Sequence, residues 1–163
     1  MKTLLFLRHG KSDWDAPYER DHDRPLAKRG RKDAKKMGKF ITEIDLEPDS
    51  IICSTALRAH DTMKRAKKAG KWESSVRLTE ALYHAYPDDL LREIRAEPDF
   101  TETLMLVGHE PTWSETVSAF IGGGDLRYPT AALARVDMDI LSWREATFGI
   151  GELILMMPPK LLP

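Results

Sequence analysis

The stretch Leu4-Leu5-Phe6-Leu7-Arg8-His9-Gly10-Lys11-Ser12-Asp13-Trp14 decides how the rest of the chain is read. From Leu4 to Leu7 it is continuously apolar and too short for a helix, the pattern of a central strand covered on both faces. The run then stops on an arginine, a histidine and a glycine. A buried strand of this kind delivers an imidazole and a guanidinium to one end of a sheet.

Two further segments repeat the pattern. Ser50-Ile51-Ile52-Cys53 and Leu104-Met105-Leu106-Val107 read as buried strands, while Val76–Leu78 is a weaker strand, and Ala132–Asp137 and Glu152–Met156 complete the set. Helical periods fall between them. From Arg31, the residues Ala34, Met37, Ile41 and Ile44 share one face; Ala56, Ala59, Met63 and Ala66 share another, ended by Gly70. Ser54 and Thr55 are placed to cap that second helix. Pro87 to about Ala96 buries Leu90, Leu91 and Ile94, and Thr112-x-x-Glu115 reads as a capping box opening a helix to Phe120. Between Gly10 and Gly30 lies a long aperiodic stretch of a length that compact domains keep mainly for function. Strands alternating with helices predict an α/β fold, a three-layer α/β/α sandwich with a mostly parallel central sheet, and ligand binding at the carboxyl ends of its strands.

Composition narrows the function. The chain has 163 residues, 42% of them hydrophobic, and 25 basic residues against 26 acidic ones, which fits one domain spanning 1–163 with no overall field for nucleic acid or an anionic membrane. Any anion site is therefore local. The lone Cys53 excludes an intrachain disulfide and suits a small core residue in a reducing cytoplasm. No apolar segment approaches the ~20 residues needed to cross a bilayer, and no leader is visible, so a cytoplasmic protein is expected.

Three strand ends carry unusual residues: Arg8-His9-Gly10, Ser54 to Arg58, and Gly108-His109. Two arginines and two histidines on one sheet edge disfavour a zinc site, since no third ligand is spaced for it and guanidinium groups repel a dication. A phosphoryl group fits better, because arginines offer planar forks of donors to its oxygens. A neutral imidazole is then a competent nucleophile, and a second, protonated one stabilises developing charge. The basic sets Lys28–Lys39 and Lys64–Lys71 read as solvated helix faces, with docking of an acidic partner as the alternative. Trp14 is expected to pin the loop by packing and Trp113 and Trp143 to sit in the core, whereas His22, His60 and His84 carry no assigned chemistry.

Arg8-His9-Gly10-x-Ser12-x-Trp14, Ser54-x-x-x-Arg58-Ala59-x-x-Thr62, Leu78-Thr79-Glu80 and Gly108-His109 resemble, in order, the motifs of the histidine phosphatase superfamily, which includes the phosphoglycerate mutases. Asp23-Arg24-Pro25-Leu26-x-x-Arg29-Gly30 and the short length look most like its SixA-type phosphohistidine phosphatase branch. The resemblance implies a phosphoglycerate mutase-like fold and His9 as nucleophile. It implies Arg8, Arg58 and His109 as the phosphate pocket, Ser12 beside them, and Glu80 as proton donor. Arg24 is expected on the phosphate or a partner, or in a loop salt bridge with Asp21 or Asp23. No metal and no cofactor are implied.

Two departures weaken a mutase reading: Lys11 where mutases commonly have Glu, and Asp15 where an Asn is common. Only 21 residues separate Arg58 from Glu80 and 28 separate Glu80 from His109, too few for a lid that excludes water. An open pocket favours hydrolysis and a bulky substrate, a phosphohistidine on a partner protein such as a histidine-containing phosphotransfer domain. The alternatives are a general phosphatase of small phosphoesters and a catalytically weak phospho-binding module.

Overall fold

A computed structural model describes residues 1–163. Six strands form one mixed sheet: β1 (Lys2–Arg8), β2 (Ser50–Ser54), β3 (Ser75–Thr79), β4 (Thr103–Gly108), β5 (Leu133–Met138) and β6 (Glu152–Met157), in the order β3-β2-β4-β1-β5-β6. The first four positions in that order pair in parallel; β5 pairs antiparallel with both β1 and β6. Four helices flank the sheet: α1 (Lys28–Glu43), α2 (Leu57–Gly70), α3 (Pro87–Arg95) and α4 (Thr112–Phe120).

The period-2 geometry of β1 divides its apolar run between two cores. Leu4 and Phe6 pack with Leu90, Ile94, Trp113, Val117 and Phe120 of α3 and α4. Leu5 and Leu7 pack with Met37, Ile41, Ala59, Met63 and Ala66 of α1 and α2 on the opposite face. These two cores are the physical content of the three layers. Helices α1 and α2 approach closely because α1 presents Gly38, where a Cβ would lie 2.2 Å from the Ala66 carbonyl oxygen. Trp113 and Trp143 are fully buried, and Trp113 meets Phe6 edge to face with ring centroids 6.4 Å apart. No helix is long and apolar enough to cross a membrane.

Several local expectations change. Helix α1 begins at Lys28 and ends at Glu43, so Ile44 leaves the apolar stripe and is 40% exposed. The Thr112–Glu115 capping box does not form. Thr112 Oγ1 donates instead to the Ala85 carbonyl, and the α4 N-terminus is capped by Glu110, whose carboxylate accepts from Ser114 N at 2.6 Å. Thr112 is already the first helical residue, with Pro111 at the cap position, so its hydroxyl is not placed to accept from Glu115 N and is directed to Ala85 instead. The cap residue of α2 is Ala56, which donates its N–H to Ser54 Oγ at 3.3 Å, whereas the Thr55 hydroxyl is drawn to His22 Nε2 at 2.9 Å. Edge strand β3 has no buried residue, which explains its weak sequence signal.

Candidate active site

Register alone assembles the pocket floor. Because β1 and β4 run in parallel with Arg8 opposite Gly108, and β2 lies on the other side of β4, the chain leaves all three strands at one level. His9 and His109 therefore meet, with ring centroids 5.3 Å apart. Arg58 enters from the first turn of α2, and its backbone carbonyl accepts from Thr62 Oγ1 at 2.7 Å; Thr62 Oγ1 in turn accepts from Gly10 N at 2.9 Å. Thr62 thus joins α2 to the loop after β1. Arg8 turns toward Tyr128, donating from Nη1 to its carbonyl at 2.7 Å, while the Tyr128 hydroxyl donates to the Phe6 carbonyl at 2.6 Å.

The loop after β1 is pressed onto the start of α1. A Cβ at Gly10 would lie 2.7 Å from Gly30 O, and one at Gly30 would lie 2.2 Å from Lys11 O, so both positions need glycine for backbone to touch backbone. Asp13 N donates to Pro25 O, Ala27 N donates to Lys11 O, and Ser12 pairs with Leu26. Residues 12–26 return on themselves and bring Arg24 inward, 5% exposed, where its charge acts on His9. Trp14 does not pin the loop by burial, as its packing role in sequence suggested. It is 62% exposed and lies under the Arg24 guanidinium, 3.6 Å from the ring centroid, a cation–π contact.

Electrostatics define the two imidazoles. His9 Nδ1–H donates to the Gly10 carbonyl at 2.7 Å, which leaves Nε2 as the lone-pair nitrogen. Burial, with Arg58, Arg8 and Arg24 adding repulsion, lowers the His9 pKa to about 3, so the ring is neutral at physiological pH. His109 is lowered to about 2 by burial first and by His9 and Arg58 next. Both imidazoles are therefore neutral at physiological pH, and the protonated second ring expected from sequence requires an opposing negative charge beside it. His109 Nε2 pairs with Ser54 Oγ at 2.8 Å and its Nδ1 is buried with no partner.

That orphaned nitrogen has company. Arg8 Nε, Ser12 Oγ, Arg24 Nε and Arg58 Nε are also buried without a hydrogen-bond partner. Buried polar atoms are ordinarily satisfied, each orphan costing about 1–3 kcal/mol. One further such atom, Trp113 Nε1, lies in the core, whereas these five unpartnered atoms come from one constellation and form a set able to hold an oxyanion. No group of three or more His, Cys, Asp or Glu side chains is arranged to hold a metal ion.

The rim is acidic and aromatic. Beside His109 a cleft of about 330 Å³ is lined by Tyr83, His84, Tyr86, Glu110 and Glu115 among others. A second cleft of about 460 Å³ holds Arg20, Asp21, His22, Glu80 and Tyr83. Glu80 is exposed there and no hydrogen bond ties it to the pocket floor. Asp21, Tyr83, Ser54 and His84 were not singled out from sequence as site residues. Asp21 and His84 have no periodicity or flanking glycine to mark them, and Ser54, although it stands in the Ser54-x-x-x-Arg58 motif, carries no sequence signal for its contact with His109. Of the alternatives expected of Arg24, the loop salt bridge is the one that forms: its Nη2 donates to Asp21 Oδ1 at 3.0 Å.

Comparison with known proteins agrees with this architecture. The sequence model of the histidine phosphatase superfamily (branch 1) matches residues 4–124. An uncharacterised protein of Mycobacterium leprae is 31% identical over 94% of this chain and 100% of its own length. The crystal structure of an Agrobacterium tumefaciens protein described as phosphohistidine phosphatase SixA superposes with a TM-score of 0.81 at 29% identity, over 97% of this chain and 98% of that one. The protein histidine phosphatase SixA shares the fold at a TM-score of 0.84 and 21% identity, with 98% of each chain covered. With three parallel strand ends presenting Arg8-His9, Arg58 and His109 as above, the chain belongs to the histidine phosphatase superfamily and is a phosphatase hydrolase.

Proposed function

We propose that this chain is a metal-independent phosphatase that forms a covalent phosphohistidine on His9 and acts on phosphohistidine carried by a partner protein, with residues 1–163 working as one domain. The observation that carries the reading is the neutral His9 Nε2 set among buried donors that have no partner of their own.

The substrate phosphoryl group lies on the Nε edges of Arg8, Arg24 and Arg58, with Ser12 and His109 completing its shell. A bound phosphoryl dianion favours the protonated form of His109, offsetting the burial and the neighbouring positive charge that lower its pKa. His9 Nε2 attacks phosphorus in line, the bond from phosphorus to the leaving nitrogen breaks, and that nitrogen takes its electron pair and a proton from Glu80. Water then gives a proton to Glu80 and attacks the phosphorylated ring. The Nε2–P bond breaks, inorganic phosphate departs, and His9 returns neutral.

Substrate size follows from what stands between Arg58 and His109. The chain there builds only the rest of α2, β3, a 3-10 turn at Glu80–Leu82, α3 and β4. Two clefts therefore open directly at the rim, able to admit a side chain presented by another protein. The same openness admits small phosphoesters, the second substrate class.

The test uses a phosphorylated histidine-containing phosphotransfer domain and a chromogenic phosphomonoester, each with and without EDTA. Turnover of the phosphoprotein in EDTA, acid-labile phosphate trapped on His9, and loss of both in His9→Ala are expected. Inhibition by EDTA overturns the metal-free mechanism, and full turnover by His9→Ala overturns the nucleophile. Preference for the ester makes the protein a general phosphatase; oxyanion binding without turnover makes it a binding module.

A further inference from the structure

Asp21 places a carboxylate against the very side chains assigned to the phosphoryl group. Its Oδ2 accepts from Arg58 Nη2 at 3.0 Å and from the Tyr83 hydroxyl at 2.8 Å, and its Oδ1 accepts from Arg24 Nη2 at 3.0 Å. Its backbone carbonyl accepts from Arg58 Nη1 at 2.8 Å. One residue, in the short 3-10 turn Asp21–Asp23, thus grips two of the three pocket arginines.

Which edge it grips matters. A guanidinium offers two forks, one from its two Nη atoms and one from Nε with the neighbouring Nη2. On Arg58 the outer fork is fully engaged by Asp21, through Nη1 and Nη2, while Nε is buried and unpartnered. On Arg24 the engaged atom is again Nη2 and the free one again Nε. On Arg58 the carboxylate and carbonyl of Asp21 take the outer edge; on Arg24 the carboxylate takes Nη2, a donor common to both forks, and in each case Nε is left free.

We propose that Asp21 is a positioning residue that holds Arg58 by its outer edge and Arg24 by Nη2, so that the Nε–H groups of both stand preformed for the phosphoryl oxygens. This rests on the reading of the pocket as a phosphoryl site. Three guanidinium groups around one small volume repel one another. A single fixed carboxylate offsets part of that repulsion without filling the seat. Preorganisation of this kind lowers the ordering cost of binding. It acts on capture of the oxyanion more than on the chemical step at His9, which Asp21 does not touch.

The experiment reads binding and turnover separately. Tungstate and inorganic phosphate are titrated calorimetrically into the wild-type protein, Asp21→Asn and Asp21→Ala, and KM and kcat are measured on the chromogenic ester. In both variants the oxyanion dissociation constants and KM rise about tenfold, with kcat changed less than about threefold, because only alignment of two forks is lost. Tyr83→Phe, which keeps the carboxylate and both arginine contacts, shifts the same constants by less. Unchanged or tighter oxyanion binding in folded Asp21→Ala overturns the proposal, the latter showing that Asp21 is a plug competing with substrate. A fall in unfolding temperature with KM unmoved also overturns it, assigning Asp21 to stability alone. If the wild-type protein binds no oxyanion, the phosphoryl-site reading itself fails, a result distinct from wild-type binding that the substitutions leave intact.

Discussion

Lowering the pH from 7 to 5 should cost the folded protein about 4 kcal/mol. His9 and His109 have folded-state pKa values of about 3 and about 2, against an ordinary 6.5 in the unfolded chain. Between those limits the unfolded state binds more protons than the folded one, so stability rises with pH. The contribution is complete above pH 6.5 and is lost as the pH falls toward 3. Each group forfeits about 1.4 kcal/mol per pH unit in that window, or about 2 kcal/mol by pH 5, and the pair about 4 kcal/mol. Asp21, also held low in the fold, works in the same direction but only below its ordinary 3.8, outside the window. His60, lowered mainly by burial but only partly buried, adds a smaller share of the same sign. The assay is urea unfolding followed by tryptophan fluorescence at the two pH values. His109→Asn should roughly halve the loss. A difference below about 1 kcal/mol, or either ring titrating near 6.5 in the folded protein by NMR, would refute the reasoning.

Three further outcomes follow from particular contacts. Gly30→Ala drives a Cβ into Lys11 O and N, so a loss of about 2 kcal/mol in stability and of at least about tenfold in kcat/KM is expected, read by thermal unfolding and steady-state kinetics. Ser54→Ala removes the partner of His109 Nε2; kcat/KM should fall about tenfold with little change in unfolding temperature. Cys53 is fully buried and its thiol is pushed up by that burial, so iodoacetamide should leave it unmodified in the native protein and alkylate it fully in urea.

The parts of this protein legible in sequence are those set by local pattern. Leu4–Leu7, Ile51–Cys53 and Leu104–Val107 announce themselves because both faces of a central strand must be apolar, and each lies at 0% exposure. Arg8-His9, Arg58 and Gly108-His109 are readable because they follow such strands immediately. What sequence hides is decided by partners far along the chain. Thr112 and Glu115 have the spacing of a capping box, yet an acceptor at Ala85 takes the threonine. Asp21 looks like any loop acid until Arg24, Arg58 and Tyr83 converge on it, the last of them 62 positions away. Trp14 has the composition of a core anchor, but the guanidinium of Arg24 supplies a surface on which an indole can remain wet.

The mutual contact of Gly10 and Gly30 has a wider meaning for how such a pocket diversifies. Pinned at both ends, residues 12–26 form a closed cassette whose base is fixed by backbone and whose tip, from Pro17 to Glu19, makes no hydrogen bond to it. Exchanging the tip alters what approaches the mouth while Arg24, on the base, keeps its place beside His9. On the proposed assignment of His9, substrate preference and phosphoryl chemistry thereby lie on separate parts of one loop, and a new partner could be accommodated without rebuilding the surroundings of His9.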